Sequence, residues 1–211
     1  VSTVTTPQKS LAGIILAAGG STRMGEPKLL LKWHGDALIR WVARLALAAG
    51  CSPVIIVTGA KRSEVEAAVS DLPVKPVHNP RWEDGQSTSV RTGILALPAD
   101  VDAAMIFLGD QPQIPLATVQ ELMRIYRASE PPLPILLPAS SGRRGNPVLF
   151  DRSMLEKLTR LQGDAGARLI FAEHQVKSIP FDDPNLLLDV DLPEDYQRLM
   201  EIPPPVLPLL D

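Results

Sequence analysis

The sequence predicts an α/β sandwich on a mainly parallel sheet. Short, near-continuous aliphatic runs such as Leu11–Ala17 and Ala103–Leu108 have strand length without polar alternation, as strands covered on both faces do. Segments with apolar residues at helical spacing alternate with these runs through most of the chain. Four Gly-rich or polar features fall where the strands end, at Gly19–Lys28, Asn79–Ser89, Gly109–Pro112 and Asp189–Asp191. Open parallel sheets place their ligands beyond such carboxyl ends.

Leu11–Ala17 is the first strand. Leu38–Ala49 follows as a helix, with Leu38, Val42, Leu45 and Ala49 at helical spacing, Asp36 as its N-cap and Gly50 as its stop. Val54–Thr58 is a β-branched strand and Arg62–Ser70 a short helix. Val74–His78 is a third strand, closed by Asn79-Pro80, and Gln86–Leu97 a helix. Ala103–Leu108 is a fourth buried strand, and Leu116–Ala128 a helix with Leu116, Val119, Leu122, Met123 and Tyr126 near one face. Ile135–Pro138 and Val148–Phe150 are short strands around a Gly/Arg loop. Helices are expected at Met154–Leu161 and Ala165–His174, strands at Val176–Ile179 and Leu186–Val190. Pro193–Met200 closes the chain as a helix with Pro in its first turn.

The 211 residues suit one domain, divided here into a flexible leader (1–10), the domain itself (11–201) and a Pro-rich tail (202–211). A net charge of −3 gives no general electrostatic reason to bind nucleic acid. No run is long enough to cross a membrane, and Val1–Lys9 lacks the apolar centre of a signal peptide. The single Cys51 cannot form an internal disulfide, so a reducing cytoplasm is expected.

The first loop offers a phosphate grip. Gly19, Gly20 and Gly25 let the backbone approach a ligand and present amides to anionic oxygens. Arg23 can fork two phosphate oxygens and Lys28 adds a point charge. The spacing is neither Walker nor dinucleotide-binding. A plain Gly-rich turn has the same composition. Asp110, at the end of a buried strand, suits Mg²⁺, which takes one or two carboxylates plus substrate phosphates, or else it caps a turn. Asp189-Val190-Asp191 offers the second carboxylate. Both Asp side chains point one way if the segment is a strand, and Asp191 also stands where a helix N-cap would. Asn79–Ser89 leads into a helix with groups able to bond a base, or serves as a capping segment with Trp82 in the core. Gly142–Pro147 is an anion loop or a basic hairpin, and Gly163–Arg168 an anion-binding helix start or an N-cap at Asp164. His34, His78 and His174 have no metal-ligand spacing, and Cys51 reads as a buried residue.

Leu16-Ala17-Ala18-Gly19-Gly20-Ser21-Thr22-Arg23-Met24-Gly25-Glu26-Pro27-Lys28 resembles the signature of nucleotidyltransferases with a three-layer, Rossmann-like (GT-A-like) fold. The later blocks at 79–89, 109–112, 142–147, 163–168 and 189–195 are similar, in the same order, to those of the molybdenum cofactor nucleotidyltransferases. Ala18, where the guanylyl branch carries Gly, favours the cytidylyl branch. The resemblance implies a CMP transfer from CTP to the phosphate of Mo-molybdopterin, with a xanthine dehydrogenase-type hydroxylase as client of the product. It implies Mg²⁺, with Mn²⁺ as the alternative, held by Asp110 and Asp191. Asp189 stays open as the second ligand, and Asp191 is preferred because it ends the strand. Arg23, Lys28 and Asp110 would be catalytic. Ala17, Ala18, Gly19, Gly20, Arg23, Lys28, Gly85, Gln86 and Ser87 would hold the nucleotide. Arg144, Gly145, Asn146, Pro147, Gly163 and Asp164 would face the acceptor. A sugar phosphate or other small phosphate is the alternative acceptor, and a non-catalytic carrier of the cofactor is the alternative class.

Overall fold

The computed structural model describes residues 9–21, 24–163 and 166–208. β1 (Leu11–Ala17) leads to a 3₁₀ turn (Lys28–Leu30), a small hairpin of β2 (Lys32–Trp33) and β3 (Asp36–Ala37), and α1 (Leu38–Ala48). The alternation continues through β4 (Val54–Thr58), α2 (Arg62–Ala68), β5 (Lys75–His78), a 3₁₀ turn (Trp82–Asp84), α3 (Gln86–Leu95), β6 (Ala103–Leu108) and α4 (Leu116–Ala128). β7 (Ile135–Ser140), β8 (Arg143–Arg144), β9 (Val148–Asp151), α5 (Arg152–Thr159), β10 (Val176–Pro180) and α6 (Pro193–Met200) follow.

The main sheet has eight strands in the order β10-β7-β9-β6-β1-β4-β5, with β8 paired to β7. β6, β1, β4 and β5 form the parallel block that carries the strand ends of interest. β9 runs antiparallel between β6 and β7. The period of two along each strand builds the three layers. Ile15, Ile56 and Met105 bury one face against α1, α2 and α4. Their neighbours Ile14, Ile55, Val57 and Ile106 bury the other against α3 and α5. This is why the strands read as continuous aliphatic runs.

α3 lies closest to the sheet at Gly93, where an added Cβ would come within 2.5 Å of Ile14 Cγ2. Gly93→Ala is therefore expected to overpack this contact by roughly 1–3 kcal/mol. In a chain of this size the melting temperature should fall by about 3–10 °C, and a calorimetric midpoint unchanged from wild type would refute the close packing.

Three expectations are corrected. Asp36 is not the cap of α1. Ala37 holds that position, and the Asp36 carboxylate pairs with Arg40 (3.3 Å) and Arg44 (3.2 Å). The helix expected at Ala165–His174 is a 3₁₀ segment over Gly166–Ala172. Leu186–Val190 is not a strand but a 3₁₀ turn (Pro184–Leu187) followed by irregular chain. Its apolar residues are buried without a strand partner, because Leu186 enters the main core and Leu188 and Val190 enter a smaller cluster with Trp33, Trp41 and Leu199. That cluster locks α6 to the early hairpin. Trp33 Nε1 donates to Leu199 O (3.0 Å), and Tyr196 Oη donates to Lys32 O (2.5 Å).

Candidate active site at the strand ends

Lys28, Asp110 and Asp191 meet beyond the ends of β1 and β6. The Lys28 ammonium donates to Asp110 Oδ2 at 2.5 Å and to Asp191 Oδ1 at 2.7 Å. All three side chains are mostly shielded, with 15%, 16% and 30% of each exposed. Burial pulls the Lys28 pKa down. The adjacent Asp110 charge and the bonds from both carboxylates outweigh it and hold the ammonium above the ordinary lysine value.

Each residue is brought here by a different local device. Lys28 opens a 3₁₀ turn whose first N–H donates to Ser21 Oγ (3.1 Å). Asp110 stands one residue beyond the end of the buried β6, after Gly109, and its carbonyl accepts from Val190 N (3.3 Å). Asp191 precedes α6 without capping it. Leu192 is the N-cap, and Asp195 Oδ2 accepts from the backbone N–H of Leu192 (2.9 Å) and of Asp191 (3.2 Å), so helix capping does not use the Asp191 carboxylate. Without a strand here, Asp189 and Asp191 do not act alike. Asp189 Oδ1 accepts from Gln111 Nε2 at 2.6 Å, whereas Asp191 joins Asp110 on the ammonium.

Two carboxylates that reach one nitrogen atom also suit one Mg²⁺, whose oxygens lie at roughly 2.0–2.1 Å. Among the described residues no group of three or more His, Cys, Asp or Glu is placed to hold a metal. A cation here would need further oxygens from a substrate, which is how Mg²⁺ is held in phosphoryl-transfer sites.

A cavity of about 510 Å³ lies beside this trio, lined by Ala18, Gly19, Gly20, Lys28, Trp82, Glu83, Gly85, Gln86, Ser89 and Asp110 among others. The first loop is pinned at its start, where Ala60 N donates to Ala18 O (3.1 Å) and the neighbouring Gly59 leaves no room for a Cβ, which would fall 2.4 Å from that oxygen. Across the cavity Asn79, 2% exposed, donates to Thr88 Oγ1 (2.8 Å) and Ser89 Oγ (3.0 Å) and accepts from Arg81 N (3.0 Å). This holds the Asn79–Ser89 loop to the start of α3. Trp82 is half-buried and packs against Gly20 rather than entering the core.

Of the residues expected to hold the nucleotide, Ala18, Gly19, Gly20, Lys28, Gly85 and Gln86 line this cavity, and Ala17 and Ser87 do not. Ala17 turns into the core on the α1 face, while Leu16 and Ala18 face the cavity. Strand alternation signals this. Ser87 faces away, its N–H bonded to Gly163 O (3.2 Å), and Ser89 takes the cavity position. The i, i+3 spacing from Gln86 marks Ser89 as the residue on that helix face. Arg23 lies outside the described residues.

A second cavity of about 380 Å³ adjoins the first, sharing Leu16, Gln86 and Leu108. Val148, Phe150 and Phe171 make it apolar, and of the expected acceptor residues only Asn146 lines it. Gly145 N bonds Pro138 O (2.8 Å), and Pro147 leads into β9. Arg144 stands over the Phe171 ring at 5.4 Å. Gly163 borders a separate cavity on the outer side of α3, and Asp164 lies outside the described residues. His34 and His174 bond Ile202 O and Lys157 respectively, and none of the three histidines lines either of the two joined cavities. Burial pushes the Cys51 thiol up to about 12, which removes it as a nucleophile.

The family described as MobA-like NTP transferase domain matches residues 13–178. Nicotine blue oxidoreductase of Paenarthrobacter nicotinovorans is 32% identical over 197 residues, covering 90% of this chain and 96% of that protein. Molybdenum cofactor cytidylyltransferase of Escherichia coli K12 is 26% identical over 186 residues, covering 87% and 92%. The crystal structure of Rv0371c from Mycobacterium tuberculosis H37Rv superposes with a TM-score of 0.82 at 30% identity, covering 92% of this chain and 99% of that one. The same protein has been solved in complex with manganese, with a TM-score of 0.76.

Proposed function

The chain belongs to the MobA-like NTP transferase family, and from that membership we propose that it is a cytidylyltransferase that moves CMP from CTP to the phosphate of Mo-molybdopterin. One observation carries this: Lys28, Asp110 and Asp191 converge beside a backbone-lined cavity at the ends of parallel strands. The similarity to the Escherichia coli cytidylyltransferase supports the nucleotide and the acceptor. The carboxylate pair and the Lys28 grip argue against a passive carrier, which needs neither.

In this reading an oxygen of the acceptor phosphate attacks the α-phosphorus of CTP, the bond from that phosphorus to the β-phosphate bridging oxygen breaks, and pyrophosphate leaves. The attacking phosphate is already ionised, so no general base is needed. Catalysis then rests on positioning and on neutralising charge. Ala18–Gly20, Gly85, Gln86 and Ser89 hold the nucleoside. Arg23, on the resemblance of its loop, and Lys28 hold the triphosphate. Asp110 and Asp191 would hold Mg²⁺ or Mn²⁺, which would supply positive charge to offset that of the phosphates. Asn146 and the apolar cavity receive the acceptor, and Arg144 stands beside it. The product would pass to a xanthine dehydrogenase-type hydroxylase, in a cytoplasmic setting.

The test is pyrophosphate release by the chain with each of the four nucleoside triphosphates and Mg²⁺, offered molybdopterin or a sugar phosphate. Release with CTP and molybdopterin, together with the dinucleotide product by mass, is expected. Preference for GTP would move the chain to the guanylyl branch. Turnover of the sugar phosphate alone would replace the acceptor, and no release with any pair would leave the carrier role.

A further inference from the structure

The segment that carries Asp191 is not held by a strand ladder. It is held by one backbone bond, from Val190 N to Asp110 O, and by two side-chain amides from the turn after β6. Gln113 Nε2 donates to Asn185 O (2.9 Å) and to Leu188 O (2.8 Å), and Gln111 Nε2 donates to Asp189 Oδ1 (2.6 Å). Both side chains are buried, with 3% of Gln111 and 4% of Gln113 exposed. The partners are carbonyls and a carboxylate, which only accept, so the chemistry fixes which end of each amide faces the segment. The opposite ends, Gln111 Oε1 and Gln113 Oε1, are buried with no hydrogen-bond partner among the described residues. An orphaned buried acceptor is destabilising. Two within three residues, both just after Asp110, mark amides whose donors matter more than their lost acceptors.

We propose that Gln111 and Gln113 are positioning residues, which tie the 184–191 segment to the turn carrying Asp110 and so set the spacing of the Asp110–Asp191 carboxylate pair. The proposal rests on the metal role assigned to that pair above. Gln113 fixes the height of the segment through two backbone carbonyls. Gln111 draws Asp189 aside, so that Asp191 is the carboxylate meeting Asp110. Asp191 has no ladder to keep it in register, and a displacement of about 1 Å in a reacting geometry can reduce turnover a hundredfold. Residues that orient metal ligands typically change metal affinity by about 10- to 100-fold when removed.

Gln111→Met and Gln113→Met remove the donors at nearly constant volume. Mn²⁺ binding to the nucleotide-free chain, read by electron paramagnetic resonance, is expected to weaken about tenfold or more in each variant. The melting temperature should stay within a few degrees of wild type. With CTP and the acceptor, kcat should fall at least about tenfold while KM for CTP changes less than about threefold. Wild-type Mn²⁺ affinity in both variants would overturn the proposal. So would a loss of Mn²⁺ binding that merely tracks unfolding and returns on cooling. If Gln113→Met does not fold, Gln111→Met, which keeps both Gln113 bonds, decides the matter. A wild-type chain that binds Mn²⁺ yet releases no pyrophosphate overturns the nucleotidyltransferase function, and the Mn²⁺ comparison still judges the glutamines. A wild-type chain that binds no Mn²⁺ overturns the positioning role itself.

Discussion

Asp110→Asn should reduce Mg²⁺-dependent pyrophosphate release on the order of a thousandfold, the scale of losing a group aimed at transition-state charge. The amide keeps the size of the side chain and removes its charge. Asp110 stands just past β6, after Gly109, and its carbonyl accepts from Val190 N, a backbone bond the substitution leaves in place. Lys28 retains Asp191 at 2.7 Å, so its ammonium keeps one buried partner. The circular dichroism spectrum should therefore match wild type while Mn²⁺ affinity collapses. Turnover within about tenfold of wild type would refute the assignment of Asp110 to the metal.

Lys28→Met should have two effects of opposite sign. Turnover should fall by about a hundredfold or more, because the triphosphate loses a buried cation beside its leaving group. Affinity of the nucleotide-free chain for Mn²⁺ should rise instead. In the resting chain the ammonium lies between the two carboxylates that a metal would use, 2.5 and 2.7 Å from their oxygens, so ammonium and metal compete. Removing the competitor takes away the ammonium that both carboxylates share, and a divalent cation can offset their mutual repulsion in its place. Mn²⁺ titration of the variant checks this, and weaker binding than wild type would refute the competition. The raised Lys28 pKa has its own pH signature. Its contribution to stability is full below the unfolded value near 10.5 and is lost as pH rises through the higher folded value. Acid-to-neutral conditions therefore leave the resting trio intact from the lysine side.

The layers of this fold are legible in the sequence because local pattern and tertiary burial agree. β1, β4 and β6 are apolar almost throughout, with Thr58 their one polar side chain, and both of their faces are covered. The first loop and the turn after β6 were legible as strand ends. Positions decided by particular side-chain partners, near or far in sequence, were not. Leu186–Val190 has strand composition, and nothing local reveals that the Gln113 amide, not a neighbouring strand, takes the Leu188 carbonyl and that of Asn185 just before it. Asp36 stands one residue before the real cap, and its charge is drawn to Arg40 and Arg44 instead. Asp191 stands where a cap would, but the cap bonds go to Asp195 three residues beyond Leu192. The phase errors at Ala17 and Ser87 are of another kind. The periods of strand and helix contain that information, and applying them gives Leu16, Ala18 and Ser89.

The link between α6 and the early hairpin carries a consequence for synthesis. Lys28 and Asp191 are 163 residues apart in sequence. Trp33 and Lys32, just after the first loop, receive their partners Leu199 and Tyr196 only from the closing helix. A ribosome releasing this chain from its N-terminus delivers the parallel block β1, β4, β5 and β6 first, and domains of this kind begin to fold as they emerge. The nascent chain can thus own a sheet, the first loop and one carboxylate while its second carboxylate is still in the exit tunnel. During that interval Lys28 has Asp110 alone to neutralise it. The Lys28–Asp110–Asp191 trio is complete only after the parallel block, once the segment that closes over the hairpin has emerged.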